Sequence, residues 1–227
     1  MGALDFQQQR HRLVERELRG LGIHDEAVLH AMRAVPREEF VPEAMREFAY
    51  RNAPLPIGAG QTISQPLVVA YMVEALGLSP DDRVLEIGGG SGYAAAVLSR
   101  VAREVYTVER RRELADEARQ RLARLGYDNV HVRRGDGAGG WPDAAPFDAI
   151  VVAAGAPGVP PALLDQLAEG GRLVIPVGET KESQRLLRVV RRSAGSGDEH
   201  FQYEELSSVR FVPLVGEAGW PPVGDSQ

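Results

Sequence analysis

The chain has 227 residues, 44% of them hydrophobic, and a formal net charge of -6. This predicts one domain with one substantial core, and the negative charge argues against a protein that reads nucleic-acid backbones. The absence of cysteine excludes disulfides and thiolate catalysis. The start MGALDFQQQR lacks the apolar core of a signal peptide, and no apolar run approaches the roughly 18 residues of a membrane span. We therefore expect a cytoplasmic protein without nucleic-acid or membrane partners.

The first part of the chain predicts short helices followed by a jointed segment. In FQQQRHRLVERELRGLG and DEAVLHAMRAV, apolar residues recur three and four positions apart, and Asp25 suits a helix N-cap. Prolines at positions 36, 42, 54 and 56 then break the chain repeatedly. They lead into PIGAGQTISQP, a small polar stretch at residues 56 to 66. The apolar run from Gln65 to Leu76 predicts a helix.

From Asp82 onward the pattern changes to short runs rich in Val and Ile that alternate with helical stretches. These runs are RVLEIG, EVYTVE, VHVRRG, FDAIVVAAG and GRLVIPVG. Their alternation with helices predicts an α/β fold with a doubly wound, mostly parallel sheet. QRLLRVVRRSAG and HFQYEELSSVRFVPL lie around a turn pattern, SAGSGD, without a long helix between them. We expect these two segments to close one sheet edge as antiparallel strands.

The stretch VLEIGGGSGY predicts a ligand-binding turn between a strand and a helix. Its glycines let a ligand approach the backbone closely, and the helix N-terminus offers free N–H groups. A dinucleotide motif needs a small residue at position 93, where the chain has Tyr93, and the G-K-[ST] of a P-loop is absent. Tyr93 also excludes the G-x-S-x-G nucleophile elbow. The remaining pattern is G-x-G-x-G at Gly88, Gly90 and Gly92.

Acidic residues accompany three predicted strands at the edge where a ligand would bind. Glu86 precedes the glycines, and Glu109 ends the second strand, where a carboxylate can accept hydrogen bonds from both ribose hydroxyls. Asp136 follows the third strand and is a suitable acceptor for an adenine amino group. Together they indicate an adenosine-bearing ligand without a pyrophosphate. S-adenosylmethionine is the commonest molecule of this kind.

These segments resemble, in order, the motifs of the protein-L-isoaspartate O-methyltransferases. The matching stretches are LPIGAGQTISQP, VLEIGGGSGYAAAVLS, VYTVER, NVHVRRGDG with GWP, APFDAIVVAA, LLDQLAEGGRLVIPVG and VRFVPL, over roughly residues 36 to 215. The resemblance implies a seven-stranded sheet whose last two strands are exchanged relative to the common methyltransferase order, with an N-terminal helical cap. It also implies that S-adenosylmethionine donates a methyl group to the free carboxylate of L-isoaspartyl residues in damaged proteins.

The resemblance also implies a division of the chain and a set of site residues. Residues 1–78 would form the helices and substrate loop, 79–180 the cofactor-binding core, 181–215 the antiparallel strands and 216–227 a loose tail. The implied cofactor-binding residues are Glu86, Gly88, Gly90, Gly92, Glu109, Arg110, Asp136 and Gly137. Ser64 would lie beside the reacting centre as the catalytic residue, and Thr62, Ile63, Val212 and Pro213 would bind substrate. Gly89, where the family usually has Thr or Ser, is expected to affect only local stiffness.

The chemistry of carboxylate methylation predicts that the segment PIGAGQTISQP orients the substrate. A substrate carboxylate is already ionised at neutral pH, so no general base is required, and catalysis depends on holding oxygen and methyl in line. Ser64 and Thr62 can orient the carboxylate by hydrogen bonds, and Gly58 and Gly60 would let the segment move for substrate entry. The structural alternative is that Ser64 only caps the following helix. Arg110 and Arg210 are candidates for attracting the substrate, with a surface charge as the simpler interpretation.

Other functions remain open from the sequence. The same frame could serve a dedicated carboxylate methyltransferase of one biosynthetic peptide or small molecule, or a nucleotide-binding module without catalysis. A nucleic-acid methyltransferase is disfavoured because VVAAGAPGVPP stands where an [N/D]PP[Y/F] loop is common. No metal is expected, since the histidines form no i, i+4 pair. We expect a monomer that acts on isoaspartyl proteins and peptides.

Overall fold

The computed structural model describes residues 5–180, 183–192 and 200–221. The helices are α1 (Phe6–Arg12), α2 (Glu26–Ala34), α3 (Pro66–Leu76), α4 (Tyr93–Leu98), α5 (Arg112–Arg124) and α6 (Pro161–Asp165). The strands are β1 (Leu55–Gly58), β2 (Gln61–Ile63), β3 (Arg83–Ile87), β4 (Glu104–Glu109), β5 (Val130–Arg134), β6 (Phe147–Val152), β7 (Leu167–Val177), β8 (Gln184–Arg191) and β9 (Phe201–Val209). The strands and main helices predicted from Asp82 onward are therefore present.

The main sheet has seven strands in the described part of the chain, in the order β5-β4-β3-β6-β7-β8-β9. Strands β3 to β7 pair with their neighbours in parallel, whereas β8 is antiparallel to both β7 and β9. The chain runs outward from β3 to β5 and then crosses back to β6, so the order reverses beside β3. In such sheets, ligands bind outside the carboxyl ends of the strands at this reversal point. The antiparallel edge and the exchanged order of the last two strands are confirmed.

Both faces of the sheet are covered, which explains the nearly continuous apolar runs in its strands. Val84 packs into the cluster on one face, and its neighbour Leu85 packs into the cluster on the other. The first cluster includes side chains of α2, α3, α4 and α5, whereas α6 contributes Leu163 to the second. The thicker helical layer therefore lies on the face that also carries the N-terminal segments.

The N-terminal cap consists of α1, α2 and shorter turns that pack onto the main domain. α1 continues into one π-helical turn, Leu13–Leu18, and Asp25 caps α2 by accepting hydrogen bonds from the N–H groups of Ala27 and Val28. Short 3₁₀ turns follow at Arg37–Phe40 and Glu43–Phe48. The cap contacts the core through aromatic packing, because the Phe40 ring lies 5.6 Å from that of Tyr93 in an edge arrangement. The predicted cap is confirmed.

The structure differs from the prediction at the polar stretch after Pro54 and at VRFVPL, and also at the C-terminal tail described below. The polar stretch after Pro54 is a two-stranded antiparallel hairpin, β1–β2, rather than an irregular loop. The expected VRFVPL strand is wrong, because β9 ends at Val209 and residues 210–214 run beside Gly155 with a single bridge at Pro213. The chain leaves the sheet edge there and crosses the strand ends.

The C-terminal tail was expected to be loose from residue 216. Residues 216–221 are instead held by hydrogen bonds, including one from the Trp220 indole N–H to the Gly155 carbonyl at 3.1 Å. The large ring at Trp220 and its buried donor explain why this part is fixed. Residues 222–227 and the SAGSGD turn pattern lie outside the described residues.

Candidate active site

A cavity of about 560 Å³ opens at the carboxyl ends of β3, β4 and β6. Its walls come from the glycine-rich turn after β3, the end of β4, the β1–β2 hairpin and the segment 212–215. These parts are distant in sequence and meet because parallel strands end at one sheet edge. The cavity therefore occupies the place where the strand order predicts a ligand.

The glycine-rich turn exposes backbone to the cavity at two of its three spaced glycines. Gly88 and Gly90 have φ of 87° and 53° and line the cavity. These values lie in the left-handed region that favours glycine. Gly92 has φ of 86° but is not among the lining residues, and a Cβ added there would lie 3.1 Å from a methyl of Leu122. Gly92 therefore lets α4 and α5 pack closely, and its contact with the cofactor stays a prediction.

Glu86 is an acidic residue at the bottom of the cavity and is only 1% exposed. The Thr107 hydroxyl donates a 2.6 Å hydrogen bond to its carboxylate. Burial, together with the nearby charge of Glu109, raises the pKa of Glu86 to about 7, and the Thr107 hydrogen bond opposes the shift. The Glu86 carboxyl therefore titrates near neutral pH.

Glu109 joins the end of β4 to the glycine-rich turn. One carboxylate oxygen accepts the Gly90 N–H at 2.9 Å, and the other accepts the Arg111 N–H at 2.8 Å. Each oxygen retains a lone pair, so the carboxylate can still accept from a ligand. Glu109 and the exposed Arg110 both line the cavity. Arg210 is exposed and is not one of the lining residues.

Asp136 lies at the rim and not in the cavity wall. Its side chain accepts the Ala138 N–H at 2.9 Å and the Glu217 N–H at 3.0 Å. Gly137, the next residue, does line the cavity. The structure thus brings Gly137 to the predicted site and places Asp136 beside it, with both carboxylate oxygens engaged by backbone groups.

The β1–β2 hairpin forms the opposite wall of the cavity. Thr62, Ile63 and Ser64 all line it, with Ile63 buried, Ser64 half-buried and Thr62 exposed. The hairpin contacts the glycine-rich turn, since a Cβ added at Gly90 would lie 3.2 Å from the Cδ1 of Ile57. Ser64 therefore faces the same space as the turn.

The capping alternative for Ser64 is not observed. Gln65 occupies the N-cap position of α3 without a cap hydrogen bond from its side chain, and the Asn52 side chain accepts the Leu67 N–H of the first turn at 3.1 Å. Pro66 is the first helical residue and has no N–H to satisfy. The Ser64 hydroxyl is thus not required as a helix cap.

Val212, Pro213 and Leu214 of the segment 210–214 line the cavity, and the predicted contact of Val212 and Pro213 with substrate stays a prediction. The Gly155 N–H donates to the Val212 carbonyl at 2.8 Å, which ties the segment to the end of β6. Phe211 is held by the amide of Gln184, which accepts its N–H at 2.8 Å and donates to its carbonyl at 3.1 Å. The segment is therefore fixed by backbone hydrogen bonds although it is not a strand.

Sequence reasoning missed Thr107 and Arg37 as parts of the site. Thr107 could have been noticed as a hydroxyl in the middle of the buried strand EVYTVE. Arg37 gave no such indication, because it stands in a charged stretch, PREEF, that is typical of a surface turn. It is 0% exposed and donates to the Ser64 carbonyl.

Among residues 5–180, 183–192 and 200–221, no three His, Cys, Asp or Glu side chains are grouped so that they could hold a metal ion. In the same residues, none of the helices has the length and apolar character needed to cross a membrane.

Comparison with known proteins identifies the family. The family model for protein-L-isoaspartate(D-aspartate) O-methyltransferase matches residues 8–219. A protein-L-isoaspartate O-methyltransferase 2 of Pelobacter propionicus is 62% identical over 212 residues, covering 93% of this chain and 92% of the relative. A protein-L-isoaspartate O-methyltransferase 1 of Rhodopseudomonas palustris is 56% identical, covering 97% of this chain and 89% of the relative.

Two solved structures have the same architecture. One, a protein-L-isoaspartate O-methyltransferase, has a TM-score of 0.82 and 33% identity, over 92% of this chain and 67% of that one. The other is a Plasmodium falciparum candidate for this enzyme in complex with S-adenosyl-L-homocysteine, with a TM-score of 0.75, 26% identity and coverage of 91% and 98%. The chain therefore belongs to the protein-L-isoaspartate(D-aspartate) O-methyltransferase family.

Proposed function

We propose that this chain transfers a methyl group from S-adenosylmethionine to the free carboxylate of L-isoaspartyl residues in damaged proteins and peptides. The observation that carries the proposal is that the hydroxyl-bearing hairpin and the glycine-rich turn line one cavity. A carboxylate and a methyl donor can therefore meet there without solvent between them. Membership of the family supports the same reaction.

The cavity suits an adenosine-bearing cation. The exposed backbone at Gly88 and Gly90 leaves room for close approach, and the carboxylates of Glu86 and Glu109 offer acceptors and negative charge. S-adenosylmethionine, when bound, supplies the electrophilic methyl group of its sulfonium. In this assignment Glu109 accepts from the ribose hydroxyls, Asp136 and Gly137 bound the adenine end, and Arg110 covers the outer rim.

The chain's own contribution to catalysis is orientation. The substrate carboxylate is ionised at neutral pH, so no group has to remove a proton before it attacks. Ser64 and Thr62 donate hydrogen bonds that hold it in line with the methyl group, and such positioning can supply roughly 7 to 11 kcal/mol in favourable cases. Ile63 fixes the hairpin by its burial, and Val212 and Pro213 lie near the backbone of the peptide.

One assay tests this function. We expect transfer of labelled methyl to several unrelated short peptides that contain L-isoaspartate, and none to the same peptides with normal aspartate. A dedicated methyltransferase would ignore these peptides, and a non-catalytic module would bind S-adenosylmethionine without transferring its methyl group. Either result would overturn the proposal. The monomeric state and the cytoplasmic location stay predictions.

A further inference from the structure

Arg37 is a buried charged residue of the helical cap that lies against the candidate active site. Its side chain is 0% exposed, and burying a guanidinium group costs several kcal/mol unless hydrogen bonds compensate. Its Nη1 atom is buried without a hydrogen-bond partner among the described residues. A costly group of this kind calls for an explanation in terms of what it holds in place.

The guanidinium group of Arg37 connects three parts of the molecule. Nε donates to the Ala49 carbonyl at 2.9 Å, which ties it to the end of the cap. Nη2 donates to the Ser64 carbonyl at 2.8 Å, at the junction between β2 and α3. Its Cζ atom lies 4.8 Å from the centre of the Tyr93 ring, a distance at which a cation and an aromatic face attract.

Two of these three contacts belong to cavity-lining residues. Ser64 is on the hairpin side, and Tyr93 is the first residue of α4, directly after the glycine-rich turn. Arg37 therefore fixes the distance between the wall that carries the hydroxyl and the wall that binds the cofactor. A displacement of about 1 Å between reacting groups can cost on the order of 100-fold in rate.

A hydrogen bond to the Ser64 carbonyl restricts the position of the Ser64 side chain. The side chain of the N-cap residue Gln65 makes no cap hydrogen bond, and the first turn of α3 is held instead by Asn52, which accepts the Leu67 N–H at 3.1 Å. Neither side chain bonds to Ser64, so the Arg37 hydrogen bond acts on Ser64 directly. The direction of the Ser64 hydroxyl depends on the backbone angles of Ser64, and a hydrogen bond to its carbonyl restricts the ψ angle directly. The position of the carbonyl thus sets where the hydroxyl can lie.

We propose that Arg37 is a positioning residue for methyl transfer, which holds the Ser64 carbonyl close to Tyr93 and thereby directs the Ser64 hydroxyl into the cavity. This inference rests on the role proposed above for Ser64. The fork of the guanidinium is essential, because it donates to two carbonyls in fixed geometry while its flat face stacks on a ring. A lysine ammonium cannot reproduce that arrangement.

The first test is Arg37→Lys in the full chain. We expect kcat for methylation of an L-isoaspartyl peptide to fall on the order of 10- to 100-fold. The Kd for S-adenosylhomocysteine should change by less than about threefold, since the lost hydrogen bond is on the hairpin side. Arg51→Lys is the matched control, because Arg51 is an exposed arginine of the same region that stacks on Phe48. An unchanged kcat in Arg37→Lys would overturn the inference.

A double-mutant cycle with Ser64→Ala separates positioning from general destabilisation. If Arg37 acts through the hydroxyl, Arg37→Lys should cost less than about threefold in kcat when Ser64 is already alanine. An equal cost in both backgrounds would show that Arg37 acts otherwise. The two proposals fail differently: an undiminished kcat in Ser64→Ala alone would disprove the role of Ser64, whereas a loss there with none in Arg37→Lys would disprove only the inference about Arg37.

A second variant leaves the side chains of Arg37 and Ser64 unchanged. It tests the same hydrogen bond if the Arg37→Lys protein does not fold. Replacing the peptide bond between Ser64 and Gln65 by an ester weakens the Ser64 carbonyl as a hydrogen-bond acceptor. We expect a lower kcat with little change in the Kd for S-adenosylhomocysteine. Wild-type kcat in the ester protein would contradict the inference.

Discussion

At the scale of single residues, Glu86 and Glu109 place two carboxylates at the bottom of one cavity. Glu86 is 1% exposed, and the Thr107 hydroxyl donates a hydrogen bond to its carboxylate. Such a carboxylate is costly when ionised, which is why its pKa is raised to about 7. A cation bound beside it offsets that cost, so this chemistry suits a positively charged ligand and makes the ligand-free protein sensitive to pH.

We predict that Glu86→Gln removes a pH-dependent part of the stability of the ligand-free protein. The pKa of about 7 keeps the folded carboxyl protonated up to neutral pH, whereas the unfolded carboxyl releases its proton near the ordinary glutamate pKa of 4.5, so the folded state binds more protons between these values. Stability therefore falls as pH rises through this window. Urea unfolding should show the wild type losing about 2–3 kcal/mol relative to the variant between pH 5 and 8. A difference that stays constant with pH would contradict this.

Gly89 lies against Thr107 and Glu86, where there is no room for a larger side chain. A Cβ added there would lie 2.3 Å from the Thr107 hydroxyl oxygen, which holds Glu86. The expectation that this glycine affects only local stiffness is therefore wrong. The hydroxyl of Thr107 occupies the space that a side chain at position 89 would need.

We predict that Gly89→Ala lowers the free energy of unfolding by roughly 1–3 kcal/mol. In a Thr107→Ala background the added cost should be smaller, because the clash is gone. Gly139→Ala is the control, since a Cβ there meets no atom within 4 Å. Additive effects of the two substitutions in thermal or urea unfolding would count against the assigned clash.

At the scale of elements, the site depends on two pieces of chain that are not parts of the main sheet. The hairpin β1–β2 carries Thr62 and Ser64, and the segment 210–214 carries Val212. Arg37 holds the end of the hairpin through the Ser64 carbonyl, and Gly155 and Gln184 hold the segment 210–214. These contacts fix the shape of the cavity opening where the peptide would enter.

We predict that Gln184→Ala loosens the segment 210–214. Two hydrogen bonds to the backbone of buried Phe211 would be lost, so the free energy of unfolding should fall by about 1–3 kcal/mol. The KM for an isoaspartyl peptide should rise, because Val212 and Pro213 lose their fixed position. Gln202→Ala, at an exposed site of β9, is the control. Wild-type stability and KM in Gln184→Ala would refute the role given to this amide.

The same two elements mark the limit of prediction from sequence. Residues 61–64 and 212–214 line the cavity, but the sequence did not predict that they belong to a hairpin and a non-strand segment. The pattern of apolar residues does not distinguish a strand from an extended segment that hydrogen-bonds to one distant residue. Residues 210–214 form such a segment, which pairs with Gly155. That distinction depends on which partner is nearby, and only the folded chain provides it.

At the scale of the whole molecule, the repeated strand and helix pattern was sufficient to predict the sheet. Parallel strands end at one edge, so Glu86, Glu109 and the glycine turn were expected to meet, and they do. Packing between distant elements was not predictable in this way. Gly92 serves the contact of α4 with α5, and Arg37 links the cap to the hairpin, although neither role follows from a local pattern.

The central claim is that this methyltransferase works by holding two reactants in line. The single-turnover rate of methyl transfer in Ser64→Ala, measured together with the Kd for S-adenosylhomocysteine, tests this most directly. We predict that the rate falls by at least about 10-fold while the Kd changes by less than about twofold, because the hydroxyl acts on the carboxylate and not on the cofactor. Equal losses in rate and affinity, or an unchanged rate, would contradict the account.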